Sequence, residues 1–325
     1  VVTDMRSSIF INQPTVIDHA YIDNEGRVVG GSFNPNFTVT GEVEAQEKVV
    51  VDFSTLKKSL KAVIDSHDNG YDHKLWILDK WSKFSVRSNA VGRINIVTPF
   101  VNLDIPLDAV KFLYIAQDYS LEECGLDMAN FLTTEVSRLY PEANIRVDVV
   151  NQCEPQMFPS QIVKVSSYSI ESAAATFRYQ HGLRDSTSWG CQSLAHGHLS
   201  FLQVFYRTWD RETLANEAER ASPYALVKAL MAKIAFYLDG ATFINSENLV
   251  AAHNPDNVAI EYETDRGYFR AEYSPESKLI VLDTETTVEY LVQHLVEKFA
   301  EELTAIEAMS VYFSEGLSKG AVVDL

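Results

Sequence analysis

The sequence predicts an α+β fold built twice in tandem. With 325 residues the chain is too long for one small core and long enough for two ordinary domains. Runs of alternating polarity and runs of helical spacing follow the same order in each half: strand, strand, helix, β-hairpin region, helix, strand. Chemically notable positions also recur at a near-constant offset. His181 aligns with His19, His196 with Asn34 and His198 with Asn36 at 162 residues, and Glu315 with Asn151 at 164. The junction is expected near residues 155–162, dividing the chain into units 1–158 and 159–325.

Residues 9–19 (IFINQPTVIDH) read as a strand entering a loop, and residues 32–43 alternate as a strand. VVVDF (49–53) reads as a strand leading into a helix, in which Leu56, Leu60, Val63 and Ile64 share a face and Ser54 can cap. The helix stops at the turn Asp68-Asn69-Gly70. Short β-like runs fill 84–115, a helix covers 120–138, and NIRVDVV (144–150) is a strand. In the second half, KVSSYSI and AAATF are β-like, 198–206 alternates as a strand, and 222–238 is helical with Pro223 in its first turn. Residues 257–283 are β-like about the turn Asp265-Arg266-Gly267. Thr286 to Glu289 has the spacing of a capping box, ahead of a helix whose apolar face carries Val288, Leu291, Val292, Leu295, Val296, Phe299 and Leu303. MSVYFSEG (309–316) closes the chain as a strand.

The formal net charge is −18, with acidic residues spread along the chain, which argues against nucleic acid as a partner. No apolar run approaches the ~18 residues of a membrane span, and the first residues lack a signal-peptide pattern. No membrane partner and a cytoplasmic location are therefore expected. Three cysteines, Cys124, Cys153 and Cys191, fit a reducing compartment without a disulfide framework.

The densest chemistry lies in HGLRDSTSWGCQSLAHGH, from His181 to His198. Residues two apart on a strand point the same way, so His196 and His198 present two imidazoles to one side. His181 supplies a third across a loop. Three neutral imidazoles with one open position is a catalytic zinc pattern, and zinc suits such ligands best. Cys191 is either a base activated by the metal and imidazoles or a fourth ligand. Cys124, on a helical face, reads as an inert buried thiol. Asp72-His73 follows a turn and has the form of a proton shuttle, an Asp orienting a His. The matching place in the second half is Asp239-Gly240, where the His is missing. Glu315, at a strand end, suits an N–C–N edge that donates two hydrogen bonds. His67, His253 and His294 read as structural.

These residues resemble the 6-pyruvoyl-tetrahydropterin synthase / 6-carboxy-tetrahydropterin synthase family of the tunnelling (T-) fold. The matching elements are Phe177-x-x-x-His181, then Cys191 shortly before His196-Gly197-His198. VVVDFSTLKK (49–58), Asp72-His73, Thr287-Val-Glu289 with Ser120-Leu-Glu122 in the first half, and Ser314-Glu315-Gly316 complete the pattern. The resemblance implies two T-fold units, each an antiparallel sheet with two helices on one face, associating into a barrel as a homo-oligomer. It implies that His181, His196 and His198 hold Zn2+, that Cys191 is the base, and that Asp72 and His73 relay protons into the other unit's site. It implies that Glu315 and Thr287 bind the substrate, a pterin triphosphate. The activity implied is zinc-dependent conversion of 7,8-dihydroneopterin triphosphate to 6-carboxy- or 6-pyruvoyl-tetrahydropterin with loss of triphosphate. The four-residue gap from Cys191 to His196 does not choose between these products. The first unit, with Asn34-Pro35-Asn36 in place of His-Gly-His, is expected to carry a degenerate metal site. The tandem nitrile reductase of queuosine synthesis uses a cysteine without zinc, and the His-Gly-His argues against that branch. A second reading is a non-catalytic pterin- or purine-binding duplicate that retains zinc.

Overall fold

Each half begins with a long antiparallel hairpin, and the rest of its sheet grows from the two sides of that hairpin. The computed structural model describes residues 6–44, 49–78, 83–114, 120–150, 168–209, 217–317 and 319–325. In the first half, β1 (Arg6–Asn12) and β2 (Ile17–Ile22) both pair with the 15-residue β3 (Val28–Glu42). Gln13, with φ at +51°, and Pro14 break what would otherwise be one strand. β4 (Lys74–Leu78) and β8 (Val110–Leu113) extend the sheet in parallel beyond β2, and β9 (Asn144–Val150) flanks β3. In the second half, the 14-residue β10 (Tyr168–His181) pairs along its whole length with β11 (His196–Trp209). β12 (Ala241–Asn245) and β16 (Leu279–Leu282) extend one side, and β17 (Ala308–Ser314) the other. The order β16-β12-β10-β11-β17 thus repeats β8-β4-β2-β3-β9. A final strand, β18 (Gly320–Asp324), pairs with β17 beyond the strand at which the sequence pattern stops.

The helices cover one face of each sheet. α1 (Phe53–Ile64) buries Leu56, Leu60 and Ile64, and α2 (Leu121–Leu139) buries Cys124, Met128, Leu132 and Val136 at four-residue spacing. α3 (Glu217–Leu238), α4 (Val288–Lys298) and the short α5 (Ala300–Ala305) cover the second sheet. Among the described residues no helix is long and apolar enough to cross a membrane.

A third sheet is built by both halves. β5 (Ser85–Ser88), β6 (Arg93–Val97) and β7 (Val101–Pro106) meet β13 (Leu249–Val250), β14 (Val258–Thr264) and β15 (Gly267–Tyr273) in the order β13-β14-β15-β7-β6-β5. The central pair, β7 with β15, is antiparallel, so three strands from each half run out from a local two-fold axis. The core beneath mixes Leu103, Ile105 and Ile77 with Ile260, Phe269 and Ile244.

The expectation of purely antiparallel sheets is corrected, since β4 and β8 run parallel to β2, and β12 and β16 to β10. Three local expectations are corrected as well. Residues 49–52 form no strand, and Asp52 rather than Ser54 caps α1, accepting from Thr55 N at 2.8 Å. The capping box at α4 is not made: Thr287 is the N-cap without a side-chain bond, because the preceding Thr286 turns toward His181. The repeat register also shifts. Backbone N–H of His73 donates to Asp18 O, and that of Gly240 donates to Arg178 O. Asp72 accepts from Asp18 N as Asp239 accepts from Arg178 N. Asp18 therefore matches Arg178, His19 matches Tyr179, and Tyr21 matches His181. Through the hairpin registers, Val29, Gly30 and Gly31 stand where His196, Gly197 and His198 stand, and Asn34 and Asn36 do not. The expected junction, Asn151 and Cys153 lie outside the described residues.

Gly30 and Gly197 occupy this matched position because β3 and β11 pass too closely for side chains. A Cβ on Gly30 would lie 2.0 Å from Tyr179 O, and one on Gly197 would lie 2.7 Å from Gly30 Cα. Gly197→Val is expected to cost on the order of 3 kcal/mol. Equilibrium denaturation checks this; wild-type stability would place the strands further apart.

Candidate active site

Three imidazoles converge where β10 meets β11. His181 ends β10, and His196 and His198 start β11 on the same face, with His181 and His196 directly paired. All three are fully buried. Each ring turns Nδ1 to an oxygen. His181 Nδ1 donates to Thr286 O at 2.7 Å, His196 Nδ1 donates to Ser193 O at 2.8 Å, and His198 Nδ1 lies 3.1 Å from Asp18 Oδ1. With the proton on Nδ1, each Nε2 presents a lone pair. The Nε2 atoms of His181 and His198 are 3.0 Å apart, and buried His196 Nε2 has no hydrogen-bond partner. Lone pairs held this close repel unless a cation lies among them. A tetrahedral zinc spaces its nitrogen ligands by about 3.3 Å, so the donor set fits that ion. Burial, with His198 beside it, pushes His181 down to about 3, and burial, with His181 and His73 beside it, holds His196 well below the usual imidazole value, keeping both rings neutral.

Beside this triad stands a second one, drawn from both halves. Cys191 Sγ lies 3.6 Å from His73 Nε2, and His73 Nδ1 lies 2.6 Å from Asp72 Oδ2. The His73 and His196 rings are 5.1 Å apart. Burial opposes the His73 imidazolium, but the Asp72 charge and hydrogen bond outweigh it and hold its pKa well above the ordinary value. Burial would raise the Cys191 thiol; the hydrogen bond and charge of His73 reverse that and lower it. His73 sits at φ +52°, where the matched residue is Gly240 at +74°. A histidine held in this left-handed region costs on the order of 1 kcal/mol and is a feature of functional sites. Gly190 lies against it: a Cβ there would meet His73 Cγ at 2.8 Å.

A cleft of about 540 Å³ reaches the Asp72-His73 pair and is lined also by Asp18, Trp189, Gly190 and Lys319. Glu315 follows β17, and its Oε2 lies 3.2 Å from Lys319 Nζ. Burial would raise its pKa, but His198 and Lys319 lower it, so the carboxylate is ionised. Thr287 caps α4; the threonine that reaches the imidazole cluster, at His181, is Thr286, which the sequence pattern marks only as a helix cap. Asp18 was equally missed, although it directly precedes His19. His19 itself is no residual ligand. It is buried, stacked 3.6 Å from Trp76, and pushed down to about 3 by burial and by Arg178. The His67 ring stacks 3.7 Å from that of Trp189 and lines the cleft.

No protein-family profile and no curated protein matches this chain. Solved structures do. The chain is structurally similar to 6-pyruvoyltetrahydropterin synthase over about 46% of its length. The Plasmodium vivax enzyme is 19% identical with a TM-score of 0.36, and 93% of it is covered. The Plasmodium falciparum enzyme is 23% identical with a TM-score of 0.35, over 46% of this chain and 93% of that one. An uncharacterized protein from Wolinella succinogenes is 16% identical with a TM-score of 0.33, over 48% and 98%. The reading of the site rests on the distances above rather than on these likenesses.

Asp18→Asn keeps the size of the side chain but removes the charge facing His198. It should weaken zinc binding roughly 10- to 100-fold. Competition with a chromophoric chelator measures this, and unchanged affinity would remove Asp18 from the support of the metal site.

Proposed function

We propose that the chain is a zinc-dependent lyase that converts 7,8-dihydroneopterin triphosphate to 6-carboxy-tetrahydropterin or its 6-pyruvoyl counterpart. The observation that carries the reading is the placement of Cys191, His73 and Asp72 against three buried imidazoles whose Nε2 atoms converge. Units 1–158 and 159–325 share this one site, and copies of the chain associate to close their sheets into a barrel.

His181, His196 and His198 would hold the zinc, which supplies Lewis acidity toward the hydroxyl groups of the substrate's side chain. Glu315, ionised and at the end of β17, accepts hydrogen bonds from the N–C–N edge of the pterin, with Lys319 adjusting its position as the ring enters. The Cys191 thiolate takes a proton from the side chain. His73, protonated and held by Asp72, donates one in turn, and triphosphate departs; the side chain then rearranges to the 6-pyruvoyl product or, with water added, is cleaved to the 6-carboxy one, its two outer carbons leaving as an aldehyde. Asp72, against Nδ1 of His73, fixes which His73 nitrogen faces the sulfur. Thr287, at the start of α4, lies one residue from the Thr286 contact to His181 and is assigned to substrate binding.

A thiolate with a lowered pKa beside an imidazolium with a raised one gives a bell-shaped pH profile. Activity should rise as Cys191 loses its proton, below the ordinary thiol range, and fall as His73 loses its own, above the ordinary imidazole value. Incubation with dihydroneopterin triphosphate, with products identified by mass, tests the reading. Cys191→Ala should abolish turnover and keep zinc; lost metal would instead make Cys191 a ligand. His73→Ala should lower the rate by ~10²–10⁴, and an unchanged rate would remove it from the mechanism.

A further inference from the structure

Arg266 is a buried cation that the chemistry above does not use. It lies in the turn between β14 and β15, where Thr264 pairs with Gly267, and its backbone N–H donates to Thr264 Oγ1 at 3.1 Å. Its side chain leaves the third sheet and enters the space behind the cysteine loop, where only 5% of the residue is exposed. There the guanidinium donates to backbone carbonyls. Nη1 reaches Gly190 O at 3.1 Å, His73 O at 3.3 Å and Trp189 O at 3.4 Å, and Nη2 reaches Asp108 O at 3.3 Å. Two of these carbonyls belong to the loop that carries Cys191. The other two belong to the first half, one of them to His73 itself.

The guanidinium also lies 3.8 Å over the indole of Trp189. The ring of His67 stacks on the same indole at 3.7 Å with planes 7° apart. Two groups this close to one indole occupy its two faces. Trp189 is therefore held between a residue of the first half and a residue of the second, two positions before Cys191. Burying a cation against carbonyls is costly unless the geometry is well matched. Arginine's planar fork can serve several acceptors at once while stacking on an aromatic face; lysine's single ammonium cannot.

We propose that Arg266 is a positioning residue that holds the cysteine loop of one half against the His73 strand end of the other, and so sets the contact between Cys191 and His73. The inference rests on the reading of Cys191 and His73 as an acid–base pair. It adds that this pair depends on a residue touching neither side chain's reacting atom. It also gives the mixed third sheet a role, since pairing of β7 with β15 fixes where the turn bearing Arg266 lies.

The test follows alkylation of Cys191 by iodoacetamide in the full-length zinc-loaded protein, read by peptide mass spectrometry from pH 5 to 10. In the wild type, alkylation should reach half its maximal rate below the ordinary thiol range. In Arg266→Met the midpoint should move up toward about 8.5, with zinc content and melting temperature kept. His73→Ala should give the same shift, and the double variant no more than either alone. An Arg266→Met profile that superimposes on the wild type overturns the proposal. Should that variant not fold, Arg266→Lys carries the same test, because it keeps the charge and loses the fork; a wild-type profile there overturns the proposal equally. A wild-type midpoint already at the ordinary thiol value would instead sink the acid–base pair, and the proposal with it.

Discussion

One buried carboxylate ties the site together. Asp18 is almost inaccessible to solvent, and each of its polar atoms serves a different part of the chemistry. Its Oδ1 faces Nδ1 of the metal-site histidine His198 at 3.1 Å and accepts from Ser32 Oγ at 2.6 Å. Its backbone N–H donates to Asp72 Oδ1, and its carbonyl accepts from the N–H of His73 at 2.6 Å. Burial alone would protonate such a group. The His198 ring against it and the Lys319 charge overcome that and hold its pKa far below the ordinary carboxylate value. Asp18 thus faces one imidazole of the triad and, through its backbone, holds both members of the Asp-His pair. All of this comes from the half of the chain that contributes no imidazole to that triad.

The division of labour explains what duplication with divergence has done here. At the symmetry-related place, Arg178 replaces Asp18, Tyr21 and Val29 and Gly31 replace the imidazoles, and Gly240 replaces His73. The imidazoles go together with the residue facing them, while Asp239 keeps the place of Asp72 and the backbone bonds that build the position survive on both sides. What both halves keep is scaffolding: the matched glycines at the crossing of β3 and β11, and three strands each of the shared sheet. A site assembled across two halves needs both halves' folds, but it needs its reactive side chains only once.

Legibility in the sequence followed distance along the chain. His196 and His198 share a strand face by the elementary alternation of β structure, and His181 faces His196 directly across the loop end of the same hairpin, so the triad is readable from spacing. Cys191 and Asp72-His73 were readable as reactive types, and the fold brings them within contact distance of each other although 118 residues separate Cys191 from His73. The groups that support them were not readable. Thr286 O and Ser193 O are backbone atoms, which no residue type advertises. Asp18 and Arg266 act across 180 and 193 residues, on partners that only tertiary pairing defines. The repeat register was misplaced for a related reason. His19 invites alignment with His181 by residue type, but it is stacked on Trp76, and the backbone bonds at Asp18 and Arg178 set the alignment.

The account stands on a single metal held by three imidazoles, with the thiol and the Asp-His pair beside it and not bound to it. Anomalous diffraction at the zinc absorption edge, from crystals of the zinc-loaded protein, tests this most directly. One peak per chain is expected, within bonding distance of the Nε2 atoms of His181, His196 and His198 and away from Cys191 Sγ. A peak ligated by Cys191, His73 and His196, or a second one beside Tyr21 and Gly31, would contradict it.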